Sequence, residues 1–69
     1  MLLKGGVKLY KKYRLLLDKS NKTTYQVAKE TGISQTAFSN WKTGRSEPGL
    51  DSLSKLAKYF NVPIEYFLD

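Results

Sequence analysis

Residues 23–44, TTYQVAKETGISQTAFSNWKTG, are the part of the chain that decides the fold. The pattern predicts two short helices joined by a tight turn, with Gly32 at the turn and Ala28 where the helices nearly touch. In the second helix, apolar and uncharged polar side chains fall on opposite sides at helical spacing. The apolar side comprises Ile33, Ala37, Phe38 and Trp41, and the polar side comprises Gln35, Thr36, Ser39, Asn40 and Thr43.

Short-range signals mark the limits of both helices. Thr23 and Gln26 have the spacing of a capping box, in which each side chain bonds the other residue's backbone N–H. Gly32 ends the first helix, because a residue at that position often needs a positive φ angle. Ser34 is the expected N-cap of the second helix, and Gly44 closes it.

Three further helices are predicted outside this stretch, over residues 7–19, 50–60 and 64–68. Each carries apolar side chains at helical spacing, which indicates one side packed against a common core. The expected core positions are Leu9, Tyr13, Leu16 and Leu17 in the first helix, Leu50, Leu53, Leu56, Ala57 and Phe60 in the fourth, and Ile64, Phe67 and Leu68 in the last. No stretch alternates with the period of a strand, so we expect an all-α chain, with a loosely ordered end over residues 1–6 and one domain over residues 7–69.

The composition narrows the classes of function. A chain of 69 residues allows one domain with a small core. It has no cysteine and no histidine, which removes disulfides, the commonest zinc ligands and the usual general base. A net charge of +6 favours a polyanionic partner. No apolar run is long enough to cross a membrane and no signal peptide is evident, so we expect a cytoplasmic protein without cofactor, metal, small-molecule ligand or catalytic residues.

The order of these parts resembles the lambda repressor and Cro type of helix-turn-helix domain, the Xre family. The resemblance extends from about Leu9 to Leu68. It rests on Thr24, Ala28, Gly32 and Ile33, on Phe38, Trp41 and Gly44, on the loop Arg45-Ser46-Glu47-Pro48, and on Leu53, Leu56, Ala57, Phe60, Val62 and Pro63. It implies a compact five-helix domain with the helix-turn-helix at helices 2 and 3, and double-stranded DNA as the partner.

One position departs from the family pattern. Many members carry an arginine late in helix 1 that pairs with an acidic residue in helix 2. Here the late positions are Leu15, Leu16 and Leu17, and Arg14 comes too early to match. We therefore expect apolar contact, rather than that ion pair, between the first two helices.

The resemblance implies that helix 3 lies in the major groove, where separate sets of residues contact bases and phosphates. Gln35 is the foremost candidate for base readout, because a glutamine amide bonds N6 and N7 of adenine in one bidentate contact. Thr36, Ser39 and Asn40 are the other candidates, although Asn40 can equally reach a phosphate. The candidates for phosphate contact are Lys22, Thr23, Thr24, Ser34, Lys42, Thr43, Arg45 and Ser46.

Simpler interpretations exist for the same residues. The polar side of helix 3 can be an ordinary solvated surface, and the lysines of helix 1 most simply form one. Trp41 is expected to anchor the core rather than to contact a base. Tyr10, Tyr13 and Tyr25 suggest stacking on single-stranded bases, but two of them fit the core side of helix 1, which favours packing.

The leading hypothesis is sequence-specific binding of double-stranded DNA by a transcriptional regulator, either a repressor or a Cro-like protein of bacterial or phage origin. Specificity on a duplex generally needs two copies on a two-fold site. Since nothing follows Asp69, a homodimer would use the domain itself, with Tyr59–Leu68 as the expected surface; an isolated domain of a longer repressor fits the sequence equally well. The alternative is an antitoxin-like protein-interaction module that also binds DNA, whereas an enzyme is disfavoured.

Overall fold

The computed structural model describes residues 5–68, which form five helices and no strand. This architecture confirms the predicted all-α fold class and the predicted order of helices. The helices are α1 (Gly5–Ser20), α2 (Thr24–Thr31), α3 (Gln35–Thr43), α4 (Leu50–Phe60) and α5 (Glu65–Leu68).

The first helix begins earlier than its sequence predicts. α1 starts at Gly5 rather than at Val7, so two residues of the expected loose end belong to a helix. Residues 1–4, the remainder of that expected end, lie outside the described residues. Glycine disfavours a helix through its backbone entropy, but the cost of about 1 kcal/mol per residue is small enough for the adjoining helix to overcome.

The turn between α2 and α3 is set by local hydrogen bonds. The predicted capping box is present: the Gln26 N–H donates to the Thr23 hydroxyl oxygen at 3.1 Å, and the Thr23 N–H donates to the Gln26 side-chain oxygen at 3.2 Å. Gly32 has φ +81° and donates its N–H to the carbonyl of Ala28 at 2.9 Å. A left-handed residue at this point reverses the chain immediately after α2.

The ends of α3 are fixed in the same manner. The Ser34 hydroxyl oxygen accepts a hydrogen bond from the Ala37 N–H at 3.1 Å, as expected of an N-cap. Gly44 has φ +79° and donates its N–H to the carbonyls of Asn40 and Trp41. α3 is therefore a helix of defined length whose start and end both follow from the sequence.

The core is organised around aromatic rings from α1 and α3. The rings of Tyr13 and Phe38 lie 4.8 Å apart, and those of Phe38 and Trp41 lie 4.8 Å apart in an edge-to-face arrangement. All three side chains are at most 4% exposed, so Trp41 is a core residue as expected. α1 packs against α3 and α5, and α2 packs against α3 and α4. One side of α3 is thus enclosed by the other helices, and this fixes the direction of its opposite side.

Two of the expected core residues are exposed. Leu50 is 69% exposed and Leu68 is 56% exposed, so the predictions that they pack inward are wrong. Leu50 is the first residue of α4, and Leu68 is the last described residue of the four-residue α5. Helical spacing places both on or near an apolar side, but burial requires another element to cover that end of the helix. In the described part of the chain no element does so.

Candidate nucleic-acid interface

Four of the five uncharged polar side chains on the outer side of α3 are the candidates for base contact, and we call them the readout face: Gln35, Thr36, Ser39 and Asn40. The first three are exposed and Asn40 is half-buried. None of their side chains makes a hydrogen bond within residues 5–68, so all of their donors and acceptors remain available to a partner. The opposite side of the helix carries Phe38 and Trp41, which are 2% and 4% exposed. The structure therefore presents this surface on a helix that cannot rotate without opening the core.

The chemistry of the readout face matches hydrogen bonding to neutral groups. The amides of Gln35 and Asn40 each offer two N–H donors and one carbonyl acceptor, and hydroxyls offer one donor and two acceptor sites. An amide can bond adenine in the major groove through two parallel hydrogen bonds, and a threonine methyl can contact that of thymine. An uncharged surface of this kind distinguishes partners by hydrogen-bond pattern, not by charge.

The N-terminus of α2 lies next to a hydrogen bond that sequence patterns did not predict. The hydroxyls of Tyr13 and Thr24 are 2.8 Å apart, and this bond joins α1 to α2. The expected apolar joint between these helices therefore also contains a polar contact. In the described residues, no ion pair links the two helices, in keeping with the missing arginine.

The loop after α3 presents positive charge and free donors. Lys42, Arg45 and Ser46 are exposed, and their side chains have no hydrogen-bond or salt-bridge partner in the part of the chain that the structure describes. The backbone N–H groups of Arg45 and Ser46 donate to the carbonyl of Asn40 at 2.9 and 3.4 Å, which ties the loop to the end of α3. Thr43 differs from them, because its hydroxyl donates back to the carbonyls of Ser39 and Asn40.

Lys22 is engaged elsewhere in the protein. Its ammonium lies 3.9 Å from a carboxylate oxygen of Glu30 and 5.4 Å from the centre of the Tyr59 ring. The Tyr59 hydroxyl donates to the same carboxylate. The phenol of Tyr59, together with Glu30, raises the pKa of Lys22. A lysine held in this way connects the segment before α2 to α4, so a phosphate would have to compete with these two partners for it.

The long-range contacts have no signal in the sequence. Tyr13 and Thr24 belong to different helices, as do Glu30 and Tyr59, and each residue reads as an ordinary helix position. A third contact joins α1 to α5, where the Lys12 ammonium donates to the carbonyl of Tyr66 at 3.0 Å. Periodicity predicts which side of a helix is polar, but it does not say which other helix that side meets.

Two other features are absent from the described residues. Residues 5–68 contain no group of three or more acidic, cysteine or histidine side chains that could hold a metal ion. Among the same residues, no helix combines the length and apolar character needed to cross a bilayer.

Comparisons with known proteins point to the same region. A family model described as helix-turn-helix matches residues 11–67. The HTH-type transcriptional activator BcrR of Enterococcus faecalis is 38% identical over 48 residues, which are 70% of this chain and 24% of that protein. The chain therefore spans about a quarter of the length of that relative. No solved structure is a significant match. Because the family match extends from within α1 to α5, the chain belongs to the Cro/C1-type helix-turn-helix family.

Proposed function

We propose that this chain binds double-stranded DNA sequence-specifically, with α3 in the major groove, as the DNA-binding part of a transcriptional regulator. The observation that carries the proposal is the readout face: its amides and hydroxyls have no hydrogen-bond partner among residues 5–68, and the other side of the helix is buried. In an ordinary solvated helix nothing requires the polar side to be uncharged. Here the chain carries a net charge of +6, yet the only charged side chain of α3 is Lys42, in its last turn.

The proposed contacts divide into two sets. Gln35, Thr36, Ser39 and Asn40 read base edges, because their free donors and acceptors can match the pattern of a base pair. The second set surrounds them and contacts phosphates, which sets register and affinity without reading sequence. This second set comprises Lys22, Thr23, Thr24, Ser34, Lys42, Thr43, Arg45 and Ser46. Within it, the free side chains of Lys42, Arg45 and Ser46 are the principal contacts, since Lys22 and Thr43 have internal partners.

A single domain of this size covers too little DNA for high specificity, so we propose that two copies bind a two-fold site. The segment Tyr59–Leu68 is the proposed dimer surface. Leu68 is exposed there and Tyr59 is half-buried, whereas Phe67 is 1% exposed and belongs to the core. Phe67 is thus unavailable to a second copy, which narrows the surface expected from the sequence.

We propose repression as the direction of regulation. A bound domain that overlaps a promoter blocks access to it by occupancy alone, and this requires no contact surface other than the DNA interface. The activator BcrR is much longer than this chain, so its name does not decide the direction here. A reporter whose promoter overlaps the selected site tests the proposal: expression should fall when the protein is produced, and a rise would contradict repression.

Selection from a random pool of duplex DNA is the experiment that tests the proposed function. An enriched two-fold sequence is the expected result, and the distance between its half-sites would report the geometry of the dimer. A pool that remains random after repeated selection would contradict sequence-specific binding. If the protein contacts phosphates, its affinity for the duplex should fall steeply as salt is added. The affinity for a protein partner bound through apolar surface should hardly change with salt.

Two substitutions separate the two sets of contacts. Gln35→Ala should cost about 1–3 kcal/mol on the selected site and relax the preference at one base pair. Arg45→Ala should weaken binding to selected and random duplexes alike and reduce the salt slope by about one. Lys11→Ala is the matched control, because it removes the same charge from the exposed side of α1. Equal losses on both duplexes for Gln35→Ala would show that this residue does not read sequence.

A further inference from the structure

A buried phenol lies directly behind the N-terminus of α2. Tyr13 is 1% exposed, and its ring packs against Phe38 and Phe60 at 4.8 and 6.3 Å between centres. Its hydroxyl has one hydrogen-bond partner in the described residues, the hydroxyl of Thr24 at 2.8 Å. Thr24 is only half-buried, so this bond runs from the core to the surface where α2 begins.

Burial decides the direction of the hydrogen bond. If Thr24 donated to Tyr13, the phenol proton would be left inside the protein without an acceptor, which is costly. If Tyr13 donates to Thr24, its proton is satisfied and Thr24 keeps its own proton. Burial also raises the pKa of Tyr13 to about 12, so the phenol retains its proton at neutral pH. Tyr13 is therefore the donor, and Thr24 is the acceptor.

Thr24 consequently differs from Thr31 and Thr43. Thr31 and Thr43 donate their hydroxyl protons to backbone carbonyls of their own helices, at 2.7 Å to Val27 and 3.2 Å to Ser39. Those protons are not available to a partner. Thr24 is the first residue of α2, where the helix has no preceding turn of carbonyls to accept its proton.

We propose that Tyr13 is a positioning residue for DNA binding, which holds the Thr24 hydroxyl so that it donates to a DNA phosphate. The inference rests on the proposed function, because it needs a duplex at the N-terminus of α2. Tyr13 itself never touches DNA. A chain of hydrogen bonds runs from the phenol through Thr24 to the phosphate, and each bond in such a chain strengthens the next. The proposal involves hydrogen bonds only: no covalent bond is made or broken, and no proton is transferred.

A double-mutant cycle on the selected duplex tests the proposal. The variants are Tyr13→Phe, Thr24→Val and their combination, with affinity measured by fluorescence anisotropy where thermal melts show each variant folded. Tyr13→Phe and Thr24→Val should each weaken binding about fivefold, the loss expected for one hydrogen bond. The combination should be no weaker than Thr24→Val alone. Thr24→Ser, which keeps the hydroxyl, should lose affinity when it is combined with Tyr13→Phe, as the wild-type protein does.

Two controls separate positioning from a purely structural role. Tyr10→Phe removes another phenol hydroxyl from α1, one that has no hydrogen-bond partner within residues 5–68, and it should leave the affinity unchanged. The losses for Tyr13→Phe should be equal on selected and random duplexes, as expected of a phosphate contact. Wild-type affinity in folded Tyr13→Phe, or losses that multiply in the combination, would overturn the proposal.

A measurement without substitution covers the case in which Tyr13→Phe does not fold. The buried phenol proton should give its own NMR resonance, protected from exchange, with a contact to the Thr24 side chain. Titration with duplex should shift that resonance as Thr24 begins to donate, and an unchanged resonance at saturation would overturn the inference. If Gln35→Ala still loses discrimination on the same duplexes while Tyr13 has no effect, only the role of Tyr13 is lost. If the wild-type protein binds no duplex, both proposals are lost together.

Discussion

The helix-turn-helix unit (Thr23–Gly44) and the C-terminal helices (Leu50–Leu68) differ in how their structure is determined. In the first unit, each helix limit corresponds to a local signal, and each outward or inward face follows the helical period. In the second, Asn61 ends α4 with φ +58°, but Leu50 and Leu68 are exposed. Local signals therefore determine where helices begin and end, whereas the burial of a side chain depends on which other elements cover its helix.

The two units also meet the rest of the protein differently. α3 lies against α1 through the tilted rings of Tyr13 and Phe38, whose centres are 4.8 Å apart. α5 has only four residues and is joined to α1 by hydrogen bonds between Lys12 and Tyr66. Two of the four buried aromatic side chains in the described residues, Phe38 and Trp41, belong to the helix-turn-helix unit, and damage to them should cost more stability than damage to the exposed positions of α4.

The largest effect is expected for Phe38→Ala. Phe38 is 2% exposed and contacts the rings of both Tyr13 and Trp41, so its removal leaves a cavity beneath α3. The free energy of unfolding should fall by about 3–5 kcal/mol, a large part of the stability of so small a domain. Thermal melting followed by circular dichroism measures the loss. A loss below about 1 kcal/mol would show that the helix-turn-helix unit contributes no more to stability than the exposed positions of α4.

The second effect concerns pH, because Tyr13 contacts both units through Phe38 and Phe60. Burial raises the pKa of Tyr13 from 10.0 in the unfolded chain to about 12 in the folded protein. The contribution of the neutral phenol to the free energy of unfolding is therefore complete below pH 10 and is lost as the pH rises towards 12. A shift of this size corresponds to at most about 3 kcal/mol. Denaturation at several pH values measures the loss. Tyr13→Phe should reduce this pH dependence, and an identical dependence in that variant would contradict the assignment.

Gly32→Ala should have a smaller effect that reports on the turn alone. A Cβ at this position has no atom within 4 Å, so the cost is the positive φ of 81° and not a clash. The free energy of unfolding should fall by about 1–2 kcal/mol. Gly49→Ala is the comparison, since Gly49 has φ −80° and equally open space; as the N-cap of α4 the position favours glycine over alanine, and the cost should stay below about 1 kcal/mol. Equal losses in the free energy of unfolding at the two glycines would show that the left-handed conformation of Gly32 is not what makes the residue important.

The smallest effect is expected for Leu50→Ala. Leu50 is 69% exposed, so truncation should change the free energy of unfolding by no more than about 0.5 kcal/mol. Leu53→Ala is the same substitution one helical turn later, at a residue that is 2% exposed, and it should cost about 2–5 kcal/mol. Chemical denaturation of the two variants measures the difference. A large loss at Leu50 would show that the start of α4 is covered, contrary to the structure.

Sequence patterns alone predict the class of the fold, the five helices, the caps of α2 and α3 and the neutral character of the readout face. These features depend on residues no more than a few positions apart, so the order of side chains is sufficient to specify them. The helix-turn-helix family follows from the same pattern, and the family match confirms it. The assignment of particular residues to bases or phosphates stays a prediction.

The contacts between residues of different helices are visible only in the tertiary structure. It showed that Thr24 is bonded to the buried Tyr13, that Lys22 is held by Glu30 and Tyr59, and that Leu50 lies open to solvent. The physical reason is that such contacts depend on the angle and distance between helices. Those are set by the packing of the whole core at once, and no short stretch of the chain contains that information.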